Sequence, residues 1–76
     1  MSEPKDSINI LAYWRAKRGL TMRGLAEKSG IKASTISRIE SYEVKPYLST
    51  LGRLANALDI DLLELASLAK DQKRPS

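Results

Sequence analysis

The stretch Thr21-Met22-Arg23-Gly24-Leu25-Ala26-Glu27-Lys28-Ser29-Gly30-Ile31-Lys32-Ala33-Ser34-Thr35-Ile36-Ser37-Arg38-Ile39-Glu40-Ser41 decides the fold. Thr21 is a helix-capping residue, and Met22 to about Lys28 carries Leu25 and Ala26 inward before Gly30, a left-handed stop. After about three or four linking residues, Ala33 to Ser41 forms a second periodic segment with Ile36 and Ile39 as its apolar members. Two helices joined so closely cross at roughly 90–120°, which requires a small side chain at the crossing, a positive φ in the turn and apolar groups beneath. Ala26, Gly30 and the set Leu25, Ile31, Ile36 and Ile39 supply these in turn. Residues 21–41 therefore read as a helix-turn-helix.

Working outward, Asp6 or Ser7 can cap a first helix from about Ile8 to Arg18, with Ile10, Leu11 and Trp14 on one side and Gly19 ending it. Downstream, Tyr42 to Tyr47 holds Pro46 and reads as a loop, and Leu48, Leu51, Leu54, Ala55 and Leu58 stripe a fourth helix. Asp61-Leu62-Leu63-Glu64 resembles a capping box and opens a fifth helix to Ala69. Residues 1–6 are expected to form a flexible arm, residues 7–69 the domain, and residues 70–76 a flexible basic tail. The prediction is an all-α, compact five-helix domain. Composition agrees: 11 Leu and 8 Ala stand against 6 Ile and 1 Val.

With 76 residues, the chain holds one small domain. Such a domain buries only about 60–65% of its unfolded surface, and the sequence has no Cys or His for a disulfide or zinc staple. The same absence removes thiol nucleophiles, Ser-His pairs and imidazole or thiolate metal sites. The carboxylates are scattered singly and no Gly-rich phosphate loop appears, so the expectation is no enzyme and no cofactor. No apolar run approaches the roughly 20 residues of a membrane span, and Met1 to Asp6 lacks a signal-peptide core. The chain is expected in the cytoplasm, associated with the nucleoid.

The formal charge of +4 is unevenly spread. From Arg15 to Arg53 there are nine basic residues and three acidic ones, a net of +6, whereas each flank is −1. Positive charge in the middle of the domain suits a polyanion. The register of the second helix of the motif supplies a surface to meet it. With Ile36 at 0°, Ser34, Arg38 and Ser41 fall at about 160°, 200° and 140°, opposite the core. Arg38 can contact guanine O6 and N7 bidentately, Ser34 can serve base edges or phosphate, and Ala33 can touch a thymine methyl. Lys32 at the helix start suits a phosphate or a guanine, and Ser37 completes the base-readout set. Thr21, Arg23, Thr35, Ser41 and Lys45 border the expected DNA backbone, with Lys17 and Arg18 as weaker candidates. The competing reading of these side chains is an ordinary solvated face or a plain helix cap.

The chain resembles the phage Cro and repressor type of helix-turn-helix protein, the XRE family, from about Leu11 to Leu65. The matching residues include Arg15, Arg18-Gly19-Leu20-Thr21, Leu25 to Ile31, Ser34 to Glu40, Lys45-Pro46, Leu48, Leu51, Leu54-Ala55 and Ala57-Leu58. The resemblance implies a lambda-repressor-like domain whose third helix lies in the DNA major groove, usually as a symmetric dimer that regulates transcription. It also implies a partly buried pair between Arg15 and Glu40, which lies about 40° from the core-facing Ile36; the alternative is an Arg15 that faces DNA. Four positions depart from the pattern. Met22 replaces a frequent Gln and cannot donate to phosphate, Lys32 stands where Ser or Thr commonly caps the third helix, Tyr42 replaces a frequent Gly, and Tyr47 a frequent Ser cap. Each tyrosine can reach a phosphate or pack on its loop.

The last helix carries more apolar surface than its own core needs. Leu62, Leu65 and Ala69 share one face, which leaves Leu63 and Leu68, with Ile60, for a two-fold contact with a second copy; the alternative is that Leu63 and Leu68 only cap the monomer core. The expected partners are therefore a homodimer mate and an inverted-repeat double-stranded operator with half-sites about one turn apart, with no membrane and no small-molecule ligand. The alternative is a protein-interaction or antitoxin-like module of the same fold with weak or no operator binding.

Overall fold

A computed structural model of the chain describes residues 8–69, so the expected arm, the expected tail and the caps Asp6 and Ser7 lie outside the described residues. Four α-helices follow in order: α1 (Ile10–Lys17), α2 (Met22–Ser29), α3 (Ala33–Glu40) and α4 (Leu48–Leu58). Among the described residues there is no strand, and no helix is long and apolar enough to cross a membrane.

The helix starts are set by side chains that accept orphan amides. Asn9, which the sequence reading passed over, caps α1: its Oδ1 accepts from the amides of Leu11 at 2.7 Å and Ala12 at 3.3 Å. The helix consequently begins two residues later than expected. Thr21 caps α2 through the amide of Gly24 at 2.9 Å. Neither Lys32 nor Tyr47, the residues before α3 and α4, makes a side-chain cap.

All four α-helices stop at a residue with positive φ: Gly19, Gly30, Tyr42 and Asp59. After α1, the amides of Gly19 and Leu20 return to the carbonyls of Ala16 and Arg15; after α3, those of Tyr42 and Glu43 return to Ile39 and Arg38; after α4, those of Asp59 and Ile60 return to Asn56 and Ala55. This is the Schellman pattern three times over. Gly30 closes α2 with one bond to Ala26.

The fifth helix is not formed. Leu62–Glu64 and Ala66–Leu68 are two 3₁₀ turns instead. Asp61 caps the first through the amide of Leu63, and the backbone closes by three-residue bonds from Glu64 to Asp61, Leu65 to Leu62, Leu68 to Leu65 and Ala69 to Ala66. A period of about three residues puts Leu62, Leu65 and Leu68 on one side, where a 3.6-residue period would have separated them. Leu68, expected at an interface with a second copy, is accordingly only 8% exposed and belongs to the chain's own core. Ile60, Leu62 and Ala69 pack at the margin of that core, whereas Leu63 points away at 77% exposure.

The core joins Leu11 of α1, Leu25 of α2, Ile36 and Ile39 of α3, Leu51, Leu54, Ala55 and Leu58 of α4, and Leu65 and Leu68. Met22, Ala26 and Ile31 pack against it from the motif, so Met22 contributes an apolar side chain at the position where the resemblance led one to look for a phosphate donor.

Candidate nucleic-acid interface

The candidate interface begins with what holds α3, because a helix can offer a binding surface only if its outer face is kept in a fixed orientation. Ile36 and Ile39 anchor its inner side in the core. Two polar ties then fix it to α1. Asn9 is a buried polar side chain whose Nδ2 donates to the carbonyl of Ile39 at 3.0 Å. One residue on, Glu40 receives a fork from Arg15: Nε donates to Oε2 at 2.6 Å and Nη2 to Oε1 at 2.9 Å. The remaining arm of the guanidinium, Nη1, donates to the carbonyl of Leu20 at 2.9 Å and so ties the α1–α2 turn to the same group.

The pair is shielded from water, with side chains 19% and 7% exposed for Arg15 and Glu40. The hydrogen bonds to Glu40 and its negative charge hold the Arg15 guanidinium above its ordinary pKa, against the opposing effect of burial. Two consequences follow for the surface. Arg15 faces inward rather than towards DNA, and the carboxylate of Glu40 is neutralised in place. The exposed charges from residue 32 to 45 are then Lys32, Arg38, Glu43 and Lys45, three positive and one negative.

The outer side of α3 carries Ser34, Arg38 and Ser41 in exposed positions, with Ala33, Thr35 and Ser37 half-buried beside them. Ser34, Arg38 and the capping Ser41 lie opposite Ile36, and Ala33, Thr35 and Ser37 flank them. Lys32 is exposed at the start of α3, where its extended backbone leaves the side chain outside the helix. The hydroxyl of Ser41 donates back to the carbonyl of Ser37 at 2.8 Å, so it offers an outside group its oxygen rather than its proton. Thr21 and Arg23 are exposed at the start of α2, and the Thr21 hydroxyl oxygen is already accepting from Gly24. Lys45 is exposed in the loop after α3.

Arg18 is placed elsewhere. Its Nε donates to the carbonyl of Leu58 at 2.7 Å, Nη2 reaches that of Asp59 at 3.3 Å, and the guanidinium lies 5.5 Å from the centre of the Trp14 ring. It closes the C-terminus of α4, where a cation is favoured. Lys17 lies over the Tyr13 ring at 5.7 Å. Asn9 is the residue that sequence reasoning missed. The usable signal was a capping-type side chain immediately before the apolar run that starts at Ile10.

Comparison with known proteins covers this same stretch. The helix-turn-helix family model matches residues 11–65. The chain is 38% identical over 65 residues to the HTH-type transcriptional regulator PuuR of Escherichia coli (strain K12) and, equally, to that of Shigella flexneri. Those 65 residues are 86% of this chain and 35% of either relative, so the chain spans about a third of the length of the curated relatives it matches. No solved structure matches it significantly. The match across α1 to Leu65, on a framework whose α2 and α3 meet through the Gly30 turn, places the chain in the helix-turn-helix family, as a DNA-binding protein of the XRE, or phage Cro and repressor, type.

Proposed function

We propose that this chain binds double-stranded DNA in a sequence-specific way with α3 in the major groove, and that it does so as a dimer to regulate transcription in the cytoplasm. The observation that carries the reading is the exposed outer face of α3, bearing Ser34 and Arg38, on a helix held from behind by Asn9 and Arg15. Arg38 reads a guanine, Lys32, Ala33, Ser34 and Ser37 supply the other base contacts, and Thr21, Arg23, Thr35, Ser41 and Lys45 border the backbone. The names of the two relatives, both transcriptional regulators, support the regulatory part. Nothing in this scheme requires a catalytic group.

Dimerisation rests on Leu63, a leucine 77% exposed, and on Ile60, at the margin of the core. A two-fold contact through these residues would present two α3 helices to successive major grooves about 34 Å apart, on an inverted-repeat operator. The test is selection of bound sites from random-sequence duplex DNA, with binding followed across salt concentration. Recovery of an inverted repeat with steep salt dependence supports the reading; salt-independent or undetectable binding refutes it.

A further inference from the structure

Of the four positive-φ residues that end α1 to α4, three are types that tolerate the conformation: Gly19 at 70°, Gly30 at 78° and Asp59 at 59°. The fourth is Tyr42 at 63°, where a bulky side chain crowds the backbone. The backbone bonds around it explain the conformation, since Tyr42 and Glu43 donate to the carbonyls of Ile39 at 3.1 Å and Arg38 at 2.8 Å. They do not explain tyrosine. Glycine would make both bonds without strain. Nor does packing repay the strain, because Tyr42 is 67% exposed. A side chain that is strained and unpacked in the free protein points to a role outside it.

Its position indicates which role. Tyr42 directly follows Ser41, the last exposed residue on the outer side of α3, and stands three residues before Lys45. Of the exposed charges from Lys32 to Lys45 only Glu43 is negative, because Glu40 is held inward by Arg15. A phenol hydroxyl is a suitable donor to a phosphate oxygen, and contacts of that kind set register on the duplex without reading sequence. We propose that the Tyr42 hydroxyl donates to a DNA phosphate at the C-terminal end of α3, a sequence-independent contact for which the chain tolerates a strained residue. The proposal rests on the DNA-binding reading above.

Because a phosphate contact does not depend on sequence, the probe is a labelled duplex of about 30 base pairs of random sequence, long enough for two successive major grooves. Wild type, Tyr42→Phe, Tyr42→Gly and Lys45→Ala are titrated with it over a range of salt, and each is melted without DNA. Tyr42→Phe should melt as wild type does and bind about five-fold more weakly, with an unchanged salt slope, since a neutral hydroxyl releases no counterion. Lys45→Ala should lower that slope by about one. Tyr42→Gly should melt about 4–8 °C higher yet bind more weakly, so stability and affinity move in opposite directions, which a purely structural role would not produce. Salt-dependent binding by wild type with equal affinity for Tyr42→Phe overturns the Tyr42 contact and leaves the DNA reading standing. Absence of salt-dependent wild-type binding overturns both. A Tyr42→Phe protein that self-associates less while its duplex affinity is unchanged would assign the side chain to a second copy and overturn the proposal.

Discussion

Asn9 joins the beginning of α1 to the end of α3: its Oδ1 accepts from Leu11 and Ala12 while its Nδ2 donates to the carbonyl of Ile39. The adjacent residue, Glu40, is the one that Arg15 grips from the other end of α1. Two successive residues at the C-terminal end of α3 are thus tied to the two ends of one neighbouring helix. The orientation of the side proposed to face DNA is set from behind by α1, a helix that lies outside the motif itself.

Asn9→Ala should therefore destabilise the domain by about 2 kcal/mol, combining loss of a cap with loss of a buried hydrogen bond. Asn9→Ser keeps a capping oxygen but has no donor that reaches Ile39, so it should lose about half as much. Thermal melts resolve the two, since about 1 kcal/mol moves the midpoint by roughly 4–8 °C in a domain of this size. Equal melting of Asn9→Ser and wild type would mean that the bond to Ile39 contributes nothing.

Removing one member of the Arg15–Glu40 pair strands the other in a largely dry site. Glu40→Ala should cost about 3 kcal/mol, the lower end for buried pairs because Arg15 keeps some water contact. Arg15→Lys should recover little of what Arg15→Ala loses, because an ammonium cannot form the fork to Glu40 and still reach the Leu20 carbonyl. The pH dependence follows from the raised guanidinium pKa. Stability from a raised group is fully present below its unfolded pKa and is lost only as pH rises through the folded one. The difference in melting temperature between wild type and Glu40→Ala should hence stay constant between about pH 7 and 10; a difference that shrank over that window would mean another group supplies the stabilisation.

The motif was legible because its constraints are steric and sit at fixed offsets: Ala26 at the crossing, Gly30 at the positive φ, and Ile36 and Ile39 beneath. The register of α3 was legible for the same reason. Residues 61–69 were not, because a stretch this short offers Leu62, Leu65 and Leu68 to a period of three and Leu62, Leu65 and Ala69 to one of 3.6. Only the backbone bonds separate the two, and with them the fate of Leu68. The partners of Arg18 were not legible, because a long cation can reach a carbonyl 40 residues away and local pattern carries no trace of that contact. Tyr42 stood out as a departure from the family pattern, but its positive φ becomes visible only in the structure.

On DNA, Arg38 and Lys45 should behave as a reader and an anchor. Arg38→Ala should cost about 1–3 kcal/mol on a selected site and relax preference at one base pair per half-site, with random duplex little affected. Lys45→Ala should weaken selected and random duplexes by the same factor. Paired titrations on both duplexes decide the assignment, and an Arg38→Ala protein that loses equal affinity on both is not missing a base contact.

The two leucines of the last segment offer opposite outcomes from the same chemical change. Leu63 is 77% exposed, so Leu63→Lys should leave helix content and the melting of dilute protein close to wild type. If Leu63 lies near the proposed two-fold axis, the substitution brings two ammonium groups together, and sedimentation should show monomer where wild type shows dimer, with weaker binding to an inverted-repeat duplex. Leu68 is only 8% exposed beside Leu65, so Leu68→Lys forces a charge into the core and should unfold much of the domain. Circular dichroism separates the two failures: loss of association with retained helix for Leu63→Lys, loss of helix for Leu68→Lys. A Leu63→Lys protein that dimerises as wild type does would place the subunit contact elsewhere on the domain.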